Sequence, residues 1–83
     1  VLTHVEAMTE LVSFLAKALV DDPDQVEVAV VDGDRAHVIE LTVAEDDLGK
    51  VIGKEGRTAR AMRTLLSTMS ARSRKRAILE ILE

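Results

Sequence analysis

Leu48-Gly49-Lys50-Val51-Ile52-Gly53-Lys54-Glu55-Gly56-Arg57 is the stretch on which the fold turns. Leu48 to Ile52 reads as the end of a short helix, which Gly53 and Gly56 interrupt before a second helical pattern opens at Arg57. Two glycines three residues apart let the backbone take positive φ and leave no Cβ between the main chain and a ligand. A helix that begins directly after such a loop points its unpaired N–H groups, and the positive end of its dipole, at whatever lies against the loop. A phosphate suits that position. Arg57 in the first turn is locally unfavourable, by about 0.3 to 1 kcal/mol when no anion is present. A local rule broken in this way marks a candidate functional position.

Downstream of the loop, Met62, Leu65, Leu66 and Met69 recur at helical spacing and predict an amphipathic helix from Arg57 to about Ser70. On a helical wheel Arg57, Arg60 and Arg63 lie at about 0°, −60° and −120°, while the apolar set centres near +130°. The basic stripe therefore stands opposite the core stripe. None of the three arginines has an acid three or four residues away within the helix, which leaves them available to an outside anion.

Upstream, Glu45, Asp46 and Asp47 suit the first turn of the short helix, where carboxylates complement the dipole. Gln25 to Val31 is rich in valine, Asp32-Gly33-Asp34 has turn chemistry, and Ala36 to Val43 alternates Ile39, Leu41 and Val43 against Val38, Glu40 and Thr42. This predicts a β-hairpin. Before it, Thr3 and Glu6 stand in capping-box spacing and open a helix over about residues 4 to 20, with Val5, Met8, Val12, Leu15 and Leu19 on one face and an end before Asp21-Asp22-Pro23. Ala7, Leu11, Phe14 and Ala18 lie beside that face and widen the apolar arc beyond what one sheet usually needs, so either the core wraps around it or a partner covers it. Lys75 to Leu82 alternates Ala77, Leu79 and Ile81 with Ile78, Glu80 and Leu82, which fits a strand, while the run Ile-Leu-Glu-Ile-Leu also fits an extended helix. Taken as a strand, it completes the order α-β-β-α-α-β. The crossover through two helices is long enough to return the last strand parallel to the second, with the usual right hand. The expected fold is α+β, one domain over residues 1–83, with a three-stranded mixed sheet covered by helices on one face.

Composition bounds the function. At 83 residues with 47% hydrophobic and 31% charged side chains, the chain suits one modest core. The absence of Cys excludes a disulfide framework, a thiolate metal site and a thiol nucleophile. Apolar runs of only a few residues and no leader pattern give no membrane span and no signal peptide, so a cytoplasmic protein is the expectation. The net charge of −4 conceals a division: residues 1–50 carry three bases against twelve acids, whereas 51–83 carry eight bases against three acids. From Gly56 through Leu79 there is no acid at all, a gap with a chance probability of roughly 1%. Such asymmetry points to an anionic partner. The cluster Arg72, Arg74, Lys75 and Arg76 reads either as part of that basic surface or as punctuation of a loop before a strand. His4 and His37 lack neighbours at ligand spacing, Asp21-Asp22-Pro23-Asp24 lacks the EF-hand glycine and terminal glutamate, and the methionines read as core, so no metal or cofactor is expected. No Walker A sequence, dinucleotide fingerprint or nucleophile triad stands in the chain, which argues against an enzyme and against a small-molecule substrate.

The ten-residue run at 48–57, followed by Ala61-Met62-Arg63-Thr64-Leu65 and set in this element order, resembles the KH domain, whose signature is V-I-G-x-x-G between two helices. The arrangement is similar to the bacterial, type II form, and most of all to the small stand-alone KH proteins of the KhpA (YlqC) family. The resemblance implies binding of about four nucleotides of single-stranded RNA in a groove between the loop with its helices and a strand of the sheet. It implies that Gly53, Lys54, Glu55 and Gly56 clamp the sugar-phosphate backbone, that Val51 and Ile52 shape an aliphatic floor for bases, and that Arg57 and Arg60 flank the phosphates, with Arg63 next along the stripe. It also suggests homodimers, or pairing with a larger KH-containing protein of the KhpB type, and a role as an RNA chaperone or post-transcriptional regulator. Two departures argue for modest affinity: Glu55 brings a negative charge into the loop, and Thr58-Ala59 replaces a larger aliphatic side chain. Phe14 is the only aromatic residue and lies on the first helix, so recognition is expected to be aliphatic and backbone-directed rather than by stacking. Neutralising three or four phosphates predicts a log–log salt slope of about −2 to −3 for a single strand. A competing reading is a protein-interaction adaptor that uses the apolar arc of the first helix.

Overall fold

Thr3 starts the first helix in the computed structural model, which describes residues 3–83. Its hydroxyl accepts from the Glu6 amide at 3.1 Å and donates to the Glu6 carboxylate at 3.2 Å, which satisfies one of the free N–H groups of α1 (His4–Leu19). Met8, Val12 and Ala16, four apart, form the buried stripe of α1. Phe14 is 70% exposed and Leu19 is 39% exposed. The domain itself thus covers only part of the wide apolar arc read from the sequence. Val20 ends the helix in extended backbone, and a short 3-10 turn over Pro23–Gln25 leads into the sheet.

Strands β1 (Glu27–Asp32) and β2 (Ala36–Thr42) pair antiparallel, with Val30 opposite Ile39 and Val28 opposite Leu41. The Gly33 amide donates to the Ala36 carbonyl at 2.9 Å and closes the turn. β3 (Arg76–Ile81) lies parallel to β2, with Ile39 level with Leu79, and the strand order is β1-β2-β3. Residues 76–81 are therefore a strand and not a helical extension. An isolated Ile-Leu-Glu-Ile-Leu run satisfies either period. The open edge of β2 decides between them, because it offers a full ladder of hydrogen bonds.

The connection between β2 and β3 holds α2 (Leu48–Ile52) and α3 (Arg57–Ser70). α1 packs on β1 and β2, α3 packs on β3, and the two long helices touch each other. Between them and the sheet lies one core, in which Met8, Val12, Ile39, Leu41, Val51 and Leu66 are the largest fully buried side chains. The buried face of α3 is Ala59, Met62, Leu66 and Ser70. Leu65, expected in that face, is 45% exposed. The helix is rolled so that 59, 62, 66 and 70 face the sheet, which moves Leu65 to the rim. The sheet face away from the helices carries Val31 and Ile78, exposed by 53% and 39%. With that face uncovered, the accessible surface is 5,714 Å², above the roughly 4,900 Å² expected from the mass. Among the described residues no helix is long and apolar enough to cross a membrane, and no group of His, Cys, Asp or Glu could hold a metal ion.

Candidate nucleic-acid interface

The loop owes its position to a buried carboxylate. Glu45–Asp47 form a 3-10 turn rather than the first turn of α2, and Asp47 is 3% exposed. Its two carboxylate oxygens accept from the amides of Asp21 at 3.2 Å and Asp22 at 3.1 Å, just past the end of α1, and Oδ1 also accepts from Lys50 Nζ at 3.3 Å. Lys50 reaches on to Asp21 at 3.1 Å. Burial alone would raise the Asp47 carboxyl, but the two amides and the lysine override it and hold it below the usual carboxylate range. Lys50 is pushed up by its hydrogen bonds to Asp21 and Asp47. Asp47 thus ties the start of α2 to the end of α1. Sequence reading credited it only with complementing the dipole, since its partners lie 25 and 26 residues away.

From that anchor α2 carries Val51 into the core, where it is 0% exposed, and leaves Ile52 half-buried. Of the aliphatic pair, Ile52 alone reaches the surface. The Gly53 amide closes α2 on the Gly49 carbonyl at 2.9 Å, and the chain then turns with Gly53 at φ 77°, ψ 169°. Glu55 at φ 57° and Gly56 at φ 74° follow, both left-handed. A Cβ on Gly53 would stand 2.2 Å from Thr58 Oγ1 and 2.8 Å from the Thr58 amide nitrogen, whereas a Cβ on Gly56 would meet nothing within 4 Å. Gly53 is therefore required by contact as well as by backbone angle, and Gly56 by angle alone. Lys54 and Glu55 are exposed at the loop tip. No side chain caps Gly56 at the start of α3, so N–H groups of the first turn lack a side-chain acceptor.

The three arginines differ in what they touch. Arg57 meets Glu55 at 3.3 Å, with both side chains largely exposed, at 73% and 66%. Glu55 thus supplies the local anion that Arg57 lacks within the helix, in a pair of the kind worth about 0 to 1 kcal/mol in water. Arg60 is exposed and has no ion-pair partner among the described residues. Arg63 donates through Nε and Nη2 to the Leu79 carbonyl at 3.4 and 3.3 Å. The amides of Arg76 and Leu82 bond to the β2 side, so the alternate residues 77, 79 and 81 turn their polar groups to the outer edge of β3. Arg63 spans from α3 to that edge. Carboxylates of the acidic half engage Lys50 and, at Asp32, Lys75 at 2.7 Å, but among the described residues none reaches the stripe.

A helix–loop–helix with two positive-φ glycines thus stands between the second and third strands of an α-β-β-α-α-β fold. The family described as KhpA/KhpB, KH domain, matches residues 9–81. The chain belongs to that family. Among curated relatives, a protein of Caldanaerobacter subterraneus subsp. tengcongensis named RNA-binding protein KhpA is 53% identical over 75 residues, 90% of this chain and all of that protein. A protein of the same name from Aquifex aeolicus is 48% identical over 79 residues, 95% of this chain and all of the relative. That from Borreliella burgdorferi is 46% identical over 89% of this chain and 90% of its own length. No solved structure matches. Fold and family thus agree with the KH resemblance carried by residues 48–57.

Proposed function

We propose that the protein binds single-stranded RNA, without catalysis, through Gly53–Gly56 and the stripe Arg57, Arg60 and Arg63. The observation that carries this reading is the start of α3, which no side chain caps, behind a loop of three positive-φ residues with Lys54 and Glu55 exposed at its tip. Relatives at 46–53% identity named RNA-binding protein KhpA support it. In this reading a phosphate sits against the loop, Lys54 and Arg57 flank it, and Arg60 meets the next phosphate along the strand. Ile52 offers an aliphatic rest for a base, with Val51 beneath it fixing α2. The Glu55 charge, partly answered by Arg57, moderates affinity. Such a module acts in the cytoplasm as an RNA chaperone or post-transcriptional regulator, as a homodimer or with a larger KH-containing partner of the KhpB type. Substituting both Lys54 and Glu55 by Asp should preserve the circular dichroism spectrum and abolish binding in a fluorescence titration with an unstructured RNA. Unchanged affinity refutes the site.

A second reading has its own observation. Phe14, the one aromatic residue, is 70% exposed on α1, which suits a protein-interaction adaptor. Phe14→Glu would then convert an assembled species to monomer in sedimentation velocity while leaving RNA affinity near that of the parent.

A further inference from the structure

We propose that Arg35, Arg72, Arg74 and Arg76 form a second phosphate contact, which holds an RNA strand longer than the groove beside the glycine loop accommodates. The inference rests on reading that loop as the primary RNA clamp. The segment between α3 and β3 folds back through the Ser73 amide on the Ser70 carbonyl at 2.9 Å and the Lys75 amide on Ser73 Oγ at 3.3 Å. It is fastened to the β1–β2 turn by the Arg76 amide on the Arg35 carbonyl at 3.2 Å and by Lys75 on Asp32 at 2.7 Å. These bonds bring Arg35, from the acidic half of the sequence, against Arg76 and onto the segment that carries Arg72 and Arg74. All four side chains are exposed, and none pairs with a carboxylate among the described residues. Asp32 already faces both Lys75 and His37, which leaves Asp34 as the one other acid in that turn. Asp32, Asp34, Arg35, Arg72, Arg74, Lys75 and Arg76 together carry two acids and five bases, a local +3 in a chain of net −4.

Ordinary structural duties do not account for these arginines. The last turn of α3 holds no basic residue, and the helix dipole acts only over that turn, so Arg74 and Arg76 lie beyond it. Lys75 is the member that fastens the loop, and the arginines around it are left over. Ser67, Ser70, Ser73 and Arg76 line a shallow recess beside them. Guanidinium groups present paired donors that match phosphate oxygens.

Position makes the cluster a separate contact. α3 has 14 residues, so at 1.5 Å per residue its two ends are about 20 Å apart. The glycine loop lies at one end and the arginines just past the other. Arg60 and Arg63 fall between them on the same helix, and β3 runs back along it toward the loop. A strand leaving the loop along α3 therefore passes Arg60 and Arg63 before it ends on the cluster, within the range of about 4 to 16 nucleotides known for single-strand sites.

The test compares the full chain with an R72Q/R74Q/R76Q variant in fluorescence anisotropy titrations from 50 to 300 mM salt. The probes are a five-nucleotide and a fifteen-nucleotide fluorescein-labelled oligouridylate, with circular dichroism to check folding. The five-mer should bind both proteins with equal affinity and equal salt slope. For the fifteen-mer the slope should fall by about 2, three contacts at about 0.7 each, and affinity at 0.1 M salt should drop by up to about 100-fold on the same relation. If the fifteen-mer binds both proteins alike while the five-mer still binds, the second contact is overturned and the loop reading stands. If the variant weakens both probes equally, the arginines act on the groove, and a separate contact is likewise overturned. If neither probe binds the parent, the loop reading itself fails.

Discussion

Replacing either loop glycine by alanine adds the same methyl group, yet the two substitutions should differ several-fold in cost. At Gly56, φ 74° and ψ 12° form a left-handed conformation with open space around the new Cβ. The backbone penalty is about 1 to 2 kcal/mol, and the lower entropy of the unfolded chain returns about 0.4 to 1 kcal/mol. A net loss of about 1 kcal/mol follows. At Gly53, φ 77° with ψ 169° is a region held almost solely by glycine, costing about 1 to 3 kcal/mol. The Cβ would also stand 2.2, 2.7 and 2.8 Å from Thr58 Oγ1, Cβ and N, all far inside the 3.5 to 4.0 Å optimum for such contacts. Overpacking of this kind adds about 1 to 3 kcal/mol. Gly53→Ala should therefore lose about 3 kcal/mol or more of a total that, for a domain of this size, lies near 4 to 12 kcal/mol. Urea unfolding followed at 222 nm measures both. With an m-value of about 1 kcal/mol per molar, the midpoint should shift by roughly 3 M for Gly53→Ala and 1 M for Gly56→Ala. Adding Thr58→Ala to Gly53→Ala removes only the hydroxyl contact and should restore less than half of the loss, because the Thr58 amide stays in place. Equal losses for the two single variants, or full recovery in the double, would refute the reasoning.

Three further outcomes follow from the geometry. On α3, Leu66→Ala at 1% exposure should cost about 2 to 5 kcal/mol and lower Tm by about 4 to 8 °C per kcal/mol; Leu65→Ala, one residue earlier at 45% exposure, should cost under about 1 kcal/mol in the same melts. Asp47 and Asp32 have folded-state carboxyls below their ordinary range, Asp32 chiefly through the Lys75 hydrogen bond, so their stabilisation is present above the unfolded value of about 3.9 and is lost as the pH falls through the folded values. Lys50 is raised, so its contribution is full below about pH 10.4 and is lost as the pH rises through its higher folded value. Urea midpoints should thus fall below about pH 4 and above about pH 10, and Asp47→Asn should flatten the acid limb. In RNA titrations Arg60→Gln should reduce the salt slope by about 0.7 with no change in the melting curve, whereas Arg63→Gln should change both, since Arg63 also bonds the Leu79 carbonyl.

How much was legible in the sequence follows from the range of each interaction. Thr3 with Glu6, the turn at Asp32-Gly33-Asp34 and the glycines at 53 and 56 act within a few residues, and their elements lie within one or two residues of the predicted ends, except that α2 starts at Leu48, past the acids expected in its first turn. The sheet order was readable because crossover length constrains it. Contacts between distant segments were not. Asp47 reads as one acid of three, and only its approach to residues 21 and 22 makes it an anchor. Arg63 reads as a free surface cation until the edge of β3 comes beside it. Arg35 reads as an isolated base in an acidic half until the turn meets Arg76. Leu65 and Leu66 are indistinguishable by period, and the roll of the helix on the sheet separates them. For Asp47, the lysine three residues later was the one local signal available.

The bond from Arg63 to Leu79 has a consequence for handling the protein. β3 is a border strand, and the main-chain groups of Ala77, Leu79 and Ile81, whose side chains pack on the core, point to its open edge and are able to pair with another molecule. A charged fork lying across the middle of that border keeps neighbouring chains from zipping onto it. Removing Arg63 would leave the main-chain groups of that edge unguarded, and concentrated stocks of such a variant would gather into particles visible by light scattering. Arg60, which guards nothing, is for that reason the cleaner position at which to remove a positive charge.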